Sequence, residues 1–393
     1  MSESHKSLVT AFLAGAAAGA AALAYFTAPK KIDAGTKAEK HLTKIVEYSF
    51  TAGLIRVGDE LKLYDALWNS GPSTAAELAH KMECSERWLT EILSQATAAG
   101  ICVYFFGKFC LKPEYAHLLR DPANSDKSMQ GLFQLVPCLL SRTDGVVKAV
   151  KTGRGFDYDF GQDVTAAIDR KNYNYFQNHM MEDILGPVKA PKTSKSLVEM
   201  LEKGIQVADI GCGFAASTIA LAKRFPKSQF YAYETSQRSI LKVQERVEDA
   251  GLTNVIVCNA LNRSVGDGPD DGDKFDFVYA HDVVHDMTKP REFLKEVKKV
   301  LSPEGVFVIV DVKCSDSLKE NINDESAALS YGYSCLLCLP CACSQKEGAP
   351  GAGLGTCGFP EKVARKWLKD DGFKFFQTAE IESLPRNTCY IVA

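Results

Sequence analysis

The stretch Val207-Ala-Asp-Ile-Gly-Cys-Gly-Phe-Ala-Ala-Ser-Thr218 decides how this chain is read. Val207, Ala208 and Ile210 form a short apolar run, as a buried strand does. Gly211 and Gly213 allow a tight turn and a close backbone approach to a ligand. Ser217 and Thr218 stand where a helix begins, and Ile219, Ala220, Leu221 and Ala222 continue it.

A lone glycine-rich turn is weak evidence, because dinucleotide-binding domains use one too. Its surroundings narrow the reading. The next strand, Gln229-Phe-Tyr-Ala-Tyr233, ends in Glu234, 23 residues after Gly211. An acid in that place can accept hydrogen bonds from both ribose hydroxyls of a nucleoside. A third strand, Val255-Ile-Val257, runs into Asn259. A fourth, Phe275-Asp-Phe-Val-Tyr279, runs into His281-Asp-Val-Val-His-Asp286. A fifth, Val306-Phe-Val-Ile-Val310, follows Pro303-Glu-Gly305. Helices are expected over 216–225, 236–250 and 289–301. Strands alternating with amphipathic helices predict a parallel sheet covered on both faces. Ligands bind outside the carboxyl ends of such strands, where all these polar residues sit.

This pattern resembles the class I S-adenosylmethionine-dependent methyltransferases. The resemblance implies an α/β fold with a doubly wound, seven-stranded Rossmann-like sheet. It implies that Asp209, Gly211 and Gly213 hold the methionine part of S-adenosyl-L-methionine, that Glu234 holds the ribose and that Asn259 meets the adenine. The third glycine of the usual turn is Ala215 here, and the usual Asp near the adenine is Asn259. A nicotinamide dehydrogenase is the competing reading, and Pro303-Glu-Gly305 before strand five favours the methyltransferase.

The chain has 393 residues, 46% of them hydrophobic, which is ample for two compact domains. A net charge of −3 implies no general affinity for nucleic acid. The 13 cysteines are spread through core-like strands, as Cys212, Cys258 and Cys389 show, which suits reduced, buried thiols. Ser7 to Ala28 carries no charge and is long enough to span a bilayer as a helix. Lys30 and Lys31 follow at once, so a single-pass anchor with the catalytic domain in the cytosol is expected, the membrane being unspecified. Gly15 and Gly19 form a face that could pair helices. A cleaved signal peptide and a peripheral Ala-rich helix are the alternatives.

Residues 29–43 read as a charged linker without an apolar stripe. Residues 44–120 read as a winged-helix domain. Leu61, Leu63, Tyr64, Ala66 and Leu67 make one helix face, Ser73-Thr-Ala-Ala-Glu77 starts a second helix, and Ser85 to Leu93 gives a third. Gly100 to Phe106 and Lys108 to Leu111 make a two-stranded wing around Gly107. Between Arg56 and Arg120 there are seven basic and eight acidic residues, which argues against DNA binding. The segments Gly58 to Leu67 and Leu111 to Leu119 resemble a winged-helix group of small-molecule methyltransferases known from mycobacteria and also found in animals. In that group the domain dimerises or closes over the pocket, so a homodimer is an option. The resemblance covers 44–393, with residues 121–200 as a helical bridge and lid and 201–393 as the cofactor-binding domain. Gly155-Phe-Asp-Tyr-Asp-Phe-Gly161 and Tyr173-Asn-Tyr-Phe176 are read either as core packing or as that lid.

A methyl acceptor with a hydroxyl needs a base, whereas a thiol ionises more readily. His285 is the base candidate, and His285-Asp286 matches in spacing the His-Asp pair of the related plant-type O-methyltransferases. Local hydrogen bonding or metal ligation, with His281 one turn earlier, are the alternatives. His281 is read as cofactor-lining or structural. Cys335-x-x-Cys338-x-x-Cys341-x-Cys343 matches no usual zinc or iron–sulfur spacing and is read as pocket or core thiols, with redox-sensitive thiols and a metal site as alternatives. Phe373 to Phe376 and Cys389 to Val392 are expected to close the sheet as an antiparallel pair. The sequence thus points to a methyltransferase acting on a small hydroxyl or thiol compound, with a neutral thiol or phenol favoured by the apolar acceptor region. A protein or lipid methyltransferase and a catalytically idle cofactor-binding scaffold are the alternatives.

Overall fold

The structure is a computed structural model that describes residues 35–120, 127–159, 164–269, 272–344 and 353–393. The chain divides into two units, Met1–Thr51 and Ala52–Ala393. The described part of the first unit is the start of a helix, Gly35–Glu60. Residues 35–43 of the segment read as a linker are therefore helical. Lys, Glu and Ala sustain a helix without an apolar stripe. The exposed Lys44–Glu47 pair at 2.7 Å adds a little support.

The second unit begins with the winged-helix elements. Helices Leu63–Ser70, Ala75–Lys81 and Glu86–Ala98 precede an antiparallel wing, β1 (Cys102–Phe105) and β2 (Lys108–Leu111). Thr74 and Glu77 close a reciprocal capping box at the second of these helices. Leu63, Tyr64 and Leu67 are buried as expected, but Leu61 is 42% exposed. Lys62 takes a left-handed conformation (φ 55°) between two helices, so Leu61 leaves the buried face.

Helices Gln130–Leu140, Thr143–Thr152 and Val164–Asn178 lead to the sheet. Seven strands run in the order β5-β4-β3-β6-β7-β9-β8: β3 (Gln206–Ile210), β4 (Gln229–Glu234), β5 (Val255–Asn259), β6 (Phe275–His281), β7 (Leu301–Val312), β8 (Phe376–Glu380) and β9 (Asn387–Val392). β3 to β7 are parallel, and β9 pairs antiparallel with both β7 and β8. Apolar side chains from both faces of the central strands are buried under helices, which is why these strands read as near-continuous apolar runs. β8 starts at Phe376, later than the sequence reading. Gly372 turns at φ +89°, and Phe373 plugs the core beside Phe307 instead of joining the ladder. The strand order reverses between β3 and β6, and that switch point is where such sheets take ligands.

The membrane reading is corrected. The segment Ser7–Ala28 lies outside the described residues. Among the described residues no helix is long and apolar enough to cross a membrane, and the single-pass, cytosol-facing assignment is set aside.

Two ion pairs join the elements around the sheet. Arg170 of helix Val164–Asn178 grips Asp59 with two bonds, at 2.6 and 2.9 Å, and Asp59 is 1% exposed. Arg246 of helix Gln237–Asp249 grips Asp169 in the same way, at 2.9 and 2.7 Å, and also donates to the carbonyl of Phe214.

Candidate active site

The glycine turn leaves β3 at the switch point. Gly211 and Gly213 both have positive φ, +64° and +57°. A Cβ on Gly211 would lie 2.7 Å from Cγ2 of Val283, so the turns after β3 and β6 are in contact there and only glycine fits. Ala215 also sits at positive φ (58°) and is wholly buried, a conformation that costs an alanine roughly 1–2 kcal/mol. Its methyl packs with Ala232 and Val243, which offsets part of that cost.

Asp209 is buried at the end of β3. Its Oδ2 accepts from the hydroxyls of Ser217 and Thr218, each at 2.6 Å. Burial pushes its carboxyl up to about 6, against the pull of those two hydroxyls. This acid therefore pins the first turn of helix Ala216–Arg224.

Glu234 ends β4 beside the glycine turn. Its Oε2 accepts from the Gly213 N–H at 3.0 Å, and its Oε1 from the Thr235 and Ser236 N–H groups at 2.7 and 3.0 Å. Burial raises its pKa, opposed by those backbone donors. Asn259 is its register partner on β5, and its Oδ1 accepts from the Leu261 N–H at 3.0 Å. Glu234 and Asn259 thus stand side by side at the sheet's carboxyl edge.

His281 ends β6. Its Nδ1 is 2.7 Å from the Tyr279 hydroxyl, and its ring meets Phe176 edge-on at 5.2 Å. Burial lowers its pKa, against the pull of nearby Asp282. The aromatic run around Phe176 thereby packs on the end of β6.

His285 lies on the short turn Val284–Asp286 and is 2% exposed. Its Nδ1 is 2.5 Å from Oδ1 of Asp311, and its Nε2 is 3.3 Å from Oδ1 of Asp286. Asp311 sits in β7 with no exposed surface. Burial pulls the His285 pKa down, but the two carboxylates outweigh it and hold the imidazole well above its usual range. Burial pushes Asp286 up to about 6, against the attraction of His285. Asp311 is the partner the sequence reading did not name. A single acid closing the apolar run Val306–Val310 was the available signal.

The helical segment Ser334–Ala342, which would lie on the acceptor side, brings Cys338 to the same place. The nearest ligand-type atoms of His285, Asp286 and Cys338 all lie within 4.8 Å of one another. Burial raises the Cys338 thiol to about 11. Cys341 is buried as well, whereas Cys335 is exposed, so the four-cysteine run does not converge on one point.

Residues Gly155–Asp159 strap these parts together. The Gly155 N–H donates to the Cys343 carbonyl at 2.9 Å and the Phe156 N–H to the Pro340 carbonyl at 3.1 Å. Asp159 accepts from the Ser236 hydroxyl at 2.7 Å, just beyond Glu234. The Tyr158 pKa is raised well above its usual value by burial and by charge at Asp286, Cys341, Cys338 and Glu234. Its hydroxyl is therefore within electrostatic reach of both the β4 acid and the His285 cluster.

Comparison with known proteins agrees with this architecture. Residues 201–385 match the methyltransferase domain family, and residues 49–120 match the Rv2258c-like winged HTH domain. The chain is 28% identical to the demethylmenaquinone methyltransferase of Bacillus subtilis (strain 168) over 112 residues, 28% of this chain and 47% of that protein. It is 26% identical to an uncharacterized methyltransferase of Schizosaccharomyces pombe over 121 residues, 30% of this chain and 44% of that protein. The chain thus spans about half the length of these curated relatives. Among solved structures, a putative O-methyltransferase from Nostoc punctiforme PCC 73102 superposes with a TM-score of 0.66 at 15% identity, covering 90% of this chain and 98% of that one. Human N-acetylserotonin methyltransferase, solved in complex with S-adenosylmethionine, gives 0.58 at 14% identity, covering 90% and 97%. At those identities the likeness shows the fold. The chain thus carries a methyltransferase domain over residues 201–385, preceded by an Rv2258c-like winged helix-turn-helix domain over residues 49–120.

Proposed function

We propose that this chain transfers a methyl group from S-adenosyl-L-methionine to a hydroxyl or thiol of a small molecule, with His285 taking the acceptor's proton. The observation that carries the reading is the buried Asp311–His285–Asp286 array beside the switch point. An imidazole set between two carboxylates and largely kept from water is a costly arrangement that serves proton transfer.

The residues around the switch point suit the cofactor. Gly211 has no room for a Cβ, and Glu234 places a half-buried carboxylate between the glycine turn and the loop after β4. Gly211, Gly213 and Asp209 would border the methionine part, Glu234 the ribose, and Asn259 the adenine, with His281 lining the β6 side. Bound there, S-adenosyl-L-methionine supplies an electrophilic methyl group on a sulfonium. The protein's own contribution is alignment, exclusion of water and proton management. Asp311 holds the Nδ1 proton, which directs the basic lone pair of a neutral His285 to Nε2. Asp286, on the Nε2 side, stabilises the imidazolium that forms when the acceptor gives up its proton. Tyr158 and the strap Gly155–Asp159 cover the line between the Glu234 end and the His285 end.

His285→Ala tests this directly. Transfer to hydroxyl acceptors should fall by about 10²–10⁴. Transfer to thiols should fall much less, because a thiol of pKa about 8.5 needs less help. Equal losses for both acceptors would assign His285 to structure.

A further inference from the structure

Arg142 is a charge without an ion-pair partner among the described residues. It precedes helix Thr143–Thr152 and has no exposed surface. Its Nη2 donates to the Asp157 carbonyl at 3.2 Å and lies 3.9 Å from Cys341 Sγ. Its guanidinium carbon stands 4.9 Å from the centre of the Phe156 ring. Its Nε and Nη1 have no hydrogen-bond partner, and among the described residues no carboxylate is paired with it. A guanidinium carries five N–H donors and cannot discard its charge. Buried and unpaired, it is strongly unfavourable unless something else supplies the negative charge.

Its position identifies that counter-charge. Cys341 lies one helical turn beyond Cys338, and Cys338 sits against His285 and Asp286. Residues at that spacing stand about 5–6 Å apart on one face. The proton-taking imidazole and the unspent guanidinium therefore flank the same turn of the acceptor-side helix. The strap crosses both: Phe156 and Asp157 contact Arg142, and Tyr158 lies within electrostatic reach of Asp286 and Cys338.

We infer that Arg142 is an anion receptor in the acceptor site, and that the methyl acceptor carries a carboxylate about one helical turn from the hydroxyl or thiol that is methylated. The inference rests on the acceptor-site reading of His285 given above, and it replaces the neutral acceptor favoured by composition. One guanidinium matches one negative charge, and the carboxylate would take the N–H groups that the protein leaves unmet.

The test uses the full chain with hydroxyphenyl and mercaptophenyl carboxylates, each compared with its carboxamide. Binding is measured by calorimetry with S-adenosylhomocysteine present, and methyl transfer is measured separately. The wild type should bind the acids about 10- to 100-fold tighter than the amides, as expected for a charge-assisted pair. Arg142→Met should abolish that preference, leave cofactor affinity unchanged and raise the thermal midpoint, because it removes an uncompensated buried charge. Arg142→Lys keeps the charge and should retain part of the preference, so it carries the test if Arg142→Met fails to fold. Equal binding of acid and amide by the wild type would overturn the inference, as would a preference that survives Arg142→Met. Acid-selective binding lost in Arg142→Met, but with no methyl transfer to any compound, would leave the anion site standing and remove the transferase reading. Methyl transfer to acids and their amides at equal rates, by wild type and Arg142→Met alike, would do the reverse.

Discussion

Asp311→Asn removes one charge and leaves the shape of the site intact. Asp311 and His285 are both buried, and their bond is 2.5 Å. Asparagine can still accept from the Val312 N–H, which bonds Oδ1 of Asp311 at 2.7 Å. Both bonds use the same oxygen, so an asparagine Oδ1 in its place also accepts from the Nδ1–H, and what is lost is the charge. At an effective dielectric near 20, two charges about 4 Å apart interact by about 4 kcal/mol. At about 1.4 kcal/mol per tenfold in rate, losing that stabilisation of the imidazolium costs about 10³. The assay is kcat/KM for a hydroxyl acceptor against pH. The folded pKa of His285 is raised, so in the wild type the base form grows as pH rises through and beyond neutrality. The rate should climb to an alkaline plateau. Asp311→Asn should lower that plateau by about 10²–10⁴ and shift the rising limb to lower pH. The same raised pKa means that the pair stabilises the fold fully below about pH 6.5 and that this contribution is lost as pH rises through the folded value. A plateau within about threefold of wild type, with the limb unmoved, would refute a role for Asp311 in orienting the base.

Three further outcomes follow from the geometry. Glu234→Ala should weaken S-adenosyl-L-methionine binding by about 1–3 kcal/mol by equilibrium titration, since it removes a carboxylate that both orders the glycine turn and faces the crevice; unchanged affinity would remove the nucleoside assignment. Gly155→Ala would place a Cβ 1.8 Å from the Pro340 carbonyl oxygen, so the strap must move; kcat/KM should fall at least tenfold, at a stability cost of about 1–3 kcal/mol in denaturant titrations. Asp59→Ala removes the carboxylate shared by the partly exposed Arg56 and Arg170, and denaturant unfolding should register a loss of about 1–3 kcal/mol.

The sheet was legible because its strands are buried on both faces. Runs such as Phe275–Tyr279 and Val306–Val310 can only be core, and the glycine turn and Glu234 fix which edge carries polar groups. The adjacency of Glu234 and Asn259 follows from strand order. Asp311 was hidden because nothing local ties it to His285; only the parallel pairing of β6 with β7, with His281 opposite Val310, brings the two together. Arg142 was hidden for a similar reason. It lies in a helical stretch with no polar pattern, and its isolation appears only when Cys341 and Phe156 close around it. Cys338 was read as a pocket or core thiol, and the helical turn Ser334–Cys338 sets it beside the His285 imidazole. The linker reading of 29–43 did not assign the helix that starts at residue 35, because that stretch has no apolar stripe, although charged residues with good propensity sustain exposed helices.

The decisive measurement is methyl transfer by the full chain from radiolabelled S-adenosyl-L-methionine to a panel of small hydroxyl, thiol and amine compounds, with His285→Ala alongside. Label should enter hydroxyl or thiol compounds, and the hydroxyl signal should nearly vanish in the variant. If S-adenosyl-L-methionine binds in the same samples and no small molecule is labelled, or if the variant labels hydroxyl compounds as fast as the wild type, the proposed chemistry of this site is wrong.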